Sequence, residues 1–128
     1  MTYSEAGGCP FVPPALHPIR EFEREVMRMP IGGDLYEFNN REIEDTTTDY
    51  GVYALYDGDE VIYIGKAESG QGLREALMDH KRGEFGPCTQ ETTHFRRELD
   101  PSPSLREVEL IEEFIDDKGR PPRCNERE

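Results

Sequence analysis

Two short apolar segments joined by an Asp-Gly turn constrain the fold of this chain more than any other feature. They read GVYALY (51–56) and VIYIG (61–65), and Asp57-Gly58 opens the turn between them. Asp-Gly between runs rich in β-branched and aromatic residues is typical of a β-hairpin. Each segment also places a tyrosine near a glycine. A phenol can donate or accept a proton and a glycine permits close approach to the backbone, although simple aromatic packing explains the pattern equally well.

Signals on both sides of the hairpin predict an α+β domain. Glycines and prolines in residues 1–15 predict an irregular arm, and apolar residues at helical spacing over 18–29 predict a helix. LYEF (35–38) predicts a short strand, residues 71–82 a helix, and residues 93–99 a third main strand. A last helix would start at Ser104, with Glu107 completing a capping box, and would end at Lys118-Gly119.

These elements predict a single domain over residues 16–128, with a core of about 50–125. Its centre would be a small, mostly antiparallel three-stranded sheet flanked by helices. The N-terminal helix and the short strand would be additions to this core. A chain of 128 residues is long enough to bury one hydrophobic core of this kind.

The cysteine content and the absence of targeting signals predict a cytoplasmic protein. Cys9, Cys88 and Cys124 are odd in number and widely spaced, which favours reduced thiols over a disulfide framework. Their spacing matches no zinc template, and a site made by Cys88, His94 and Cys124 is a minor alternative. No apolar stretch approaches the length of a membrane span, and the N-terminus lacks the pattern of a secretion signal.

The order of residues after the hairpin resembles the GIY-YIG nuclease family. GVY stands in place of GIY, YIGK follows, and then come a helix ending in His80, a helix carrying Glu107, and Asn125. The resemblance spans roughly residues 50–125. It implies a metal-dependent endonuclease that hydrolyses phosphodiester bonds in DNA. A partner protein, oligomerisation or the structure of the substrate would then supply specificity.

The resemblance also implies a role for each matching residue. Glu107 would bind Mg²⁺ or Mn²⁺, with Glu109, Glu112 and Glu113 as nearby competitors. Tyr53 and Tyr63 would orient or deprotonate the attacking water, and His80 would accept a proton near neutral pH. Lys66 would contact phosphate, and Asn125 would orient the site.

One position departs from the family pattern. The family places an arginine four residues before the histidine, and this chain has Ala76 there. Arg74, Arg82 and Arg96 are the candidates to supply the cation from elsewhere. Without such a cation, the alternative function is a catalytically degenerate domain that binds nucleic acid or a protein partner.

The net charge of −13 also has to be reconciled with a nucleic-acid substrate. Phosphate contacts normally give nucleic-acid enzymes a basic surface. The acidic residues could lie away from the substrate groove, reflect a high-salt host, or accompany a loss of tight binding. Basic residues nevertheless accompany the proposed site: Lys66, Arg74, Lys81, Arg82, Arg96, Arg97, Arg120 and Arg123.

Overall fold

A computed structural model describes residues 30–125, so the predicted arm, the predicted helix over 18–29 and Cys9 lie outside the described residues. The described part is an α+β structure, as predicted. Its elements in chain order are β1 (Tyr36–Glu37), α1 (Asn40–Glu44), β2 (Gly51–Asp57), β3 (Glu60–Ala67), α2 (Leu73–Lys81), a 3₁₀ turn (Cys88–Glu91), β4 (His94–Leu99) and α3 (Pro103–Lys118).

The strands form one antiparallel sheet in the order β1-β4-β2-β3. The β2–β3 hairpin and the strand over 93–99 are therefore confirmed. The predicted short strand also forms, and it pairs with β4 through Tyr36 and Phe95. Because it joins the same sheet, the sheet has four strands rather than three. β2 lies between two partners, which explains why its residues 51–55 are all buried.

Strand alternation divides the sheet into two faces that carry different chemistry. Tyr53, Leu55 and Tyr63 pack beneath α2, on what we call the α2 face. Val52, Ala54 and Ile64 pack against Leu110 of α3, on what we call the α3 face. The core is therefore split into two layers by the sheet, and each face has its own hydrophobic cluster.

The start of the last helix was predicted wrongly, and α1 was not predicted. Asn40 begins α1, because the Asn39 side chain caps it by accepting a hydrogen bond from the backbone N–H of Glu42. The last helix begins at Pro103 with Ser102 as its N-cap, so Ser104 is not the cap. Proline suits the first helical turn because its missing N–H has no partner to lose there. Its predicted end is confirmed, since Gly119 has a φ of 85°.

The prediction of reduced thiols was wrong for two of the three cysteines. Cys88 and Cys124 form a disulfide that joins the 3₁₀ turn to the C-terminal tail. The zinc alternative fails with it, since a disulfide leaves no thiolate to ligate metal. The two positions are 36 residues apart and meet only through the folded sheet. Within residues 30–125, no helix has both the length and the apolar character needed to cross a membrane.

Candidate active site

A chain of three buried polar side chains lies beneath α2. The Tyr53 hydroxyl is 2.9 Å from Nε2 of His80, and Nδ1 of His80 is 3.0 Å from the Thr89 hydroxyl. All three residues are buried. A neutral imidazole has one donor and one acceptor nitrogen, so it can satisfy both neighbours at once. The hairpin, α2 and the 3₁₀ turn each contribute one member.

Gly65 makes this arrangement possible. Residues Tyr53 and Gly65 face each other across the β2–β3 ladder. A Cβ atom at Gly65 would lie 2.7 Å from the Tyr53 hydroxyl and 2.7 Å from the Tyr63 ring. Such distances are well inside van der Waals contact. The glycine that follows Tyr63-Ile64 therefore leaves the space in which the Tyr53 phenol lies.

Aromatic rings surround the imidazole of His80. The Tyr63 ring centroid is 4.7 Å away, and the Phe85 ring stacks on the imidazole at 4.1 Å with an angle of 22°. Phe85 is 46% exposed while His80 is fully buried, so Phe85 covers the imidazole from solvent. Phe85 was not among the predicted site residues. The signal was an aromatic residue between Gly83 and Gly86, both of which adopt positive φ.

Burial keeps His80 neutral. Loss of hydration lowers the pKa of His80 from 6.5 to about 4, and the nearby Asp79 charge offsets only part of that effect. The imidazole is therefore uncharged at neutral pH. This differs from the expectation that His80 takes up a proton near neutrality. In the neutral form, Nε2 can accept the phenol proton of Tyr53 in a hydrogen bond.

A second, charged cluster lies on the α3 face. The Lys66 ammonium is 2.9 Å from the Ser104 hydroxyl and 3.0 Å from the Glu68 carboxylate. The hydrogen bond to Glu68 raises the pKa of Lys66, and the charges of Glu68 and Glu107 raise it further. Ser104 thus contacts a lysine and a carboxylate instead of capping α3. Glu107 is therefore near enough for its charge to act on Lys66.

The two clusters are separated by strand alternation. Tyr53, Tyr63 and His80 belong to the α2 face. Lys66 is opposite Val52 in the ladder, and Val52 belongs to the α3 face. The residues implied by the resemblance are thus grouped as a neutral buried set and a charged set, on opposite sides of one strand.

The charged set offers the oxygen donors that Mg²⁺ and Mn²⁺ prefer. Glu107 and Glu68 supply carboxylates, and Ser104 supplies a hydroxyl, beside the Lys66 ammonium. Over residues 30–125, no three His, Cys, Asp or Glu side chains converge as a metal site. A bound Mg²⁺ at Glu107 would therefore take most of its ligands from water and substrate phosphate, which suits an ion that retains much of its hydration.

Asn125 has a structural role in the described fold. Its side-chain oxygen accepts from the Ile64 N–H at 2.9 Å, and its amide nitrogen donates to the Ile64 carbonyl at 3.0 Å. Beside it, the Cys124 N–H donates to the Ile62 carbonyl at 2.8 Å. The tail thereby pairs with the outer edge of β3, satisfying backbone groups that an edge strand leaves open. Asn125 holds the strand that carries Tyr63.

Ala76 lies inside the hydrophobic core of the α2 face at 1% exposure. It shares this buried side of α2 with His80, so an arginine here would enter the core and not a solvent-filled groove. The three candidate replacements are held elsewhere. Arg74 donates to the Thr46 carbonyl, Arg82 pairs with Asp79, and Arg96 donates to the Gly33 carbonyl. Arg96, opposite Ala54, belongs to the α3 face.

Comparisons with protein-family models, with curated proteins and with solved structures found no significant match. The GIY-YIG resemblance therefore depends on the residues of this chain alone.

Proposed function

We propose that this protein is a divalent-metal-dependent endonuclease of the GIY-YIG kind that hydrolyses phosphodiester bonds in DNA. The hydrogen bond between the Tyr53 phenol and His80, in the space left by Gly65, supports the proposal most strongly. It explains why the motif needs the tyrosine, the glycine and the histidine together. A cytoplasmic location is part of the same proposal, although the Cys88–Cys124 disulfide removes reduced thiols from the grounds for it.

The neutral His80 would assist Tyr53 rather than the water directly. A phenol has a pKa of about 10 and is a poor base at neutral pH. When the Tyr53 phenol donates a hydrogen bond to Nε2 of His80, its oxygen gains electron density and becomes a better hydrogen-bond acceptor for an attacking water. Because Tyr53 is buried, a water can reach that oxygen only if neighbouring side chains move, and the exposed Phe85, which stacks on His80, is a candidate to do so. Glu107 would hold the metal ion, which supplies charge stabilisation for the phosphate.

The alternative is a catalytically degenerate domain that binds nucleic acid or a protein partner. One observation favours it: Ala76 is enclosed in the core where the family has a catalytic arginine. Loss of one transition-state cation commonly reduces a rate by about two to three orders of magnitude. A degenerate domain would retain the buried Tyr53–His80 pair only for stability.

Nicking of supercoiled plasmid tests the proposal. The wild-type protein is incubated with Mg²⁺ or Mn²⁺ from dilute buffer to molar salt, because a −13 chain could require high salt to approach DNA. Tyr53→Phe and Tyr63→Phe keep the ring and remove the hydroxyl. We expect metal-dependent nicking that falls about tenfold or more in one or both variants.

Tyr56→Phe is the matched control, because Tyr56 is on the same strand but packs on the α3 face. It should nick at the wild-type rate. Unchanged nicking in both Tyr53→Phe and Tyr63→Phe would make these tyrosines structural. A folded wild-type protein that leaves the plasmid supercoiled under every condition would favour the binding domain instead.

A further inference from the structure

Arg97 is an arginine without an acidic partner on the same sheet face as Tyr53. The two residues are directly opposite each other in the β2–β4 ladder, so their side chains project from the same face as neighbours. The Arg97 guanidinium lies 5.0 Å from the centroid of the Tyr36 ring. Its Nη2 is 3.3 Å from the Tyr36 hydroxyl, a long hydrogen bond.

Part of this guanidinium is buried and unsatisfied. Nε of Arg97 is inaccessible to solvent and has no hydrogen-bond partner among the described residues. No carboxylate of residues 30–125 lies within ion-pair distance of it. Arg74 and Arg96 also lack an acidic partner among these residues, but each donates to a backbone carbonyl, so the unsatisfied Nε is what distinguishes Arg97. A buried N–H without a partner is unfavourable unless a ligand satisfies it.

The chemistry of the group indicates what that ligand is. A guanidinium presents N–H donors in a planar fork that matches two oxygens of a phosphate. The Tyr36 hydroxyl beside it provides a further donor. Arg97 and Tyr36 are both only partly buried, so an anion can reach the exposed part of the guanidinium from solvent, and a small side-chain shift would bring the closed Nε into the same contact.

We propose that Arg97 and Tyr36 form a phosphate-binding site beside Tyr53. The assignment of this phosphate to a DNA strand rests on the proposed function. Because the Tyr53 phenol leans over Gly65 on the β3 side, Arg97 on β4 binds a phosphate that flanks the reacting one. Arg97 is therefore a positioning residue, and it supplies a cation on the face where Ala76 supplies none.

The test uses Arg97→Met, which keeps a long side chain and removes the charge. Arg96→Met is the matched control, because Arg96 is adjacent in β4 and belongs to the other face. Melting temperatures are measured in increasing inorganic phosphate, with chloride holding the ionic strength constant. Affinity for a short duplex oligonucleotide is measured without metal.

We expect phosphate to raise the melting temperature of the wild type and of Arg96→Met but not of Arg97→Met. In chloride alone, Arg97→Met should be at least as stable as the wild type, because it removes an unsatisfied buried group. Oligonucleotide affinity should fall about tenfold in Arg97→Met, the equivalent of roughly one contact of 1.4 kcal/mol. With an active enzyme, KM for DNA should rise while kcat changes little.

Two results would overturn the assignment. The first is a phosphate response in Arg97→Met equal to that of the wild type. The second is a marked loss of stability of Arg97→Met in chloride alone, which would make Arg97 a packing residue. Should Arg97→Met fail to fold, Arg97→Lys provides the measurement, since it retains charge without the fork and should respond weakly to phosphate. Arg97-dependent phosphate binding without oligonucleotide binding or cleavage would support the phosphate site and reject the nuclease.

Discussion

The two faces of the sheet accommodate polar side chains in different ways, although the same strands form both. On the α2 face, Tyr53, His80 and Thr89 are buried, uncharged and bonded to one another. On the α3 face, Lys66 and Glu68 are partly exposed charged groups, and Glu107 acts on Lys66 through its charge. Polar groups are tolerated in the first environment because each finds a partner, and in the second because water solvates them.

The comparison shows how one glycine-containing motif serves both faces. In Tyr63-Ile64-Gly65-Lys66, alternation directs Tyr63 to the α2 face and Lys66 to the α3 face. The Tyr53 phenol lies over Gly65, and Lys66 is the next residue. The position over which the Tyr53 phenol lies is therefore adjacent along β3 to Lys66 of the charged set. A phosphate that contacts both must approach at this part of β3.

The first prediction concerns the disulfide, which supports the α2 face. Cys88 adjoins Thr89, which bonds His80, and Cys124 adjoins Asn125, which holds β3. Replacing both cysteines by serine should lower the free energy of unfolding by about 4 kcal/mol, because a loop of this length loses its constraint in the unfolded chain. Urea unfolding measures the change. Reductant should lower the free energy of unfolding of the wild type by the same amount. The control Cys9→Ser should be about as stable as the wild type. A double variant as stable as the wild type would contradict the prediction.

The second prediction is that acid destabilises the α2 face through His80. The folded pKa of His80 lies near 4, below its ordinary value of 6.5, so protonation favours the unfolded chain. Neutral, buried His80 makes its full contribution to the free energy of unfolding above pH 6.5, and this contribution is lost as the pH falls toward 4. At about 1.36 kcal/mol per pKa unit, the loss approaches roughly 3 kcal/mol. Urea unfolding at each pH measures how steeply the free energy of unfolding falls with pH. The fall should be as steep in the control His94→Gln as in the wild type, and shallower in His80→Gln. An equal fall in the two variants would assign the titration to another group.

The third prediction sharpens the role of the motif glycine. Gly65→Ala places a methyl group 2.7 Å from the Tyr53 hydroxyl and the Tyr63 ring. The phenol must then leave His80 or the strands must shift, which should cost about 2 kcal/mol. Gly32→Ala is the control, because its nearest contact would be an ordinary 3.7 Å. Thermal unfolding compares the two, and equal melting temperatures would show that Tyr53 can adopt another position without loss.

The hairpin, β4 and the two longer helices could be predicted because their signals are local. Asp57-Gly58 marks a turn and Gly119 ends a helix, whatever the rest of the chain does. The Tyr53–His80 contact could be expected only through the family resemblance. Its physical requirement, the absence of a side chain at Gly65, becomes visible once the register of β2 and β3 is known.

Other features depend on distant residues and could not be predicted this way. The Cys88–Cys124 bond requires the tail to reach the edge of β3. The low pKa of His80 results from burial, to which Phe85 contributes by stacking on the imidazole. Arg97 was one basic residue among several until the β2–β4 register placed it opposite Tyr53.

The final prediction concerns the α3 face and has the smallest expected effect on stability. Glu107→Gln removes a carboxylate from a partly exposed helix position, so the free energy of unfolding should change by less than about 0.5 kcal/mol. Metal-dependent nicking should nevertheless be abolished, because Glu107 is the proposed metal ligand beside Lys66. Glu112→Gln changes the same charge on an exposed position of the same helix and should retain activity. Plasmid nicking and urea unfolding are measured on both variants. Loss of activity without loss of stability is the behaviour expected of a solvated charged site, in contrast to the buried α2 face.

Equal activity in the two variants would show that Glu107 is not part of the site. A large loss of stability in Glu107→Gln would show instead that the charged cluster supports the fold as the buried one does.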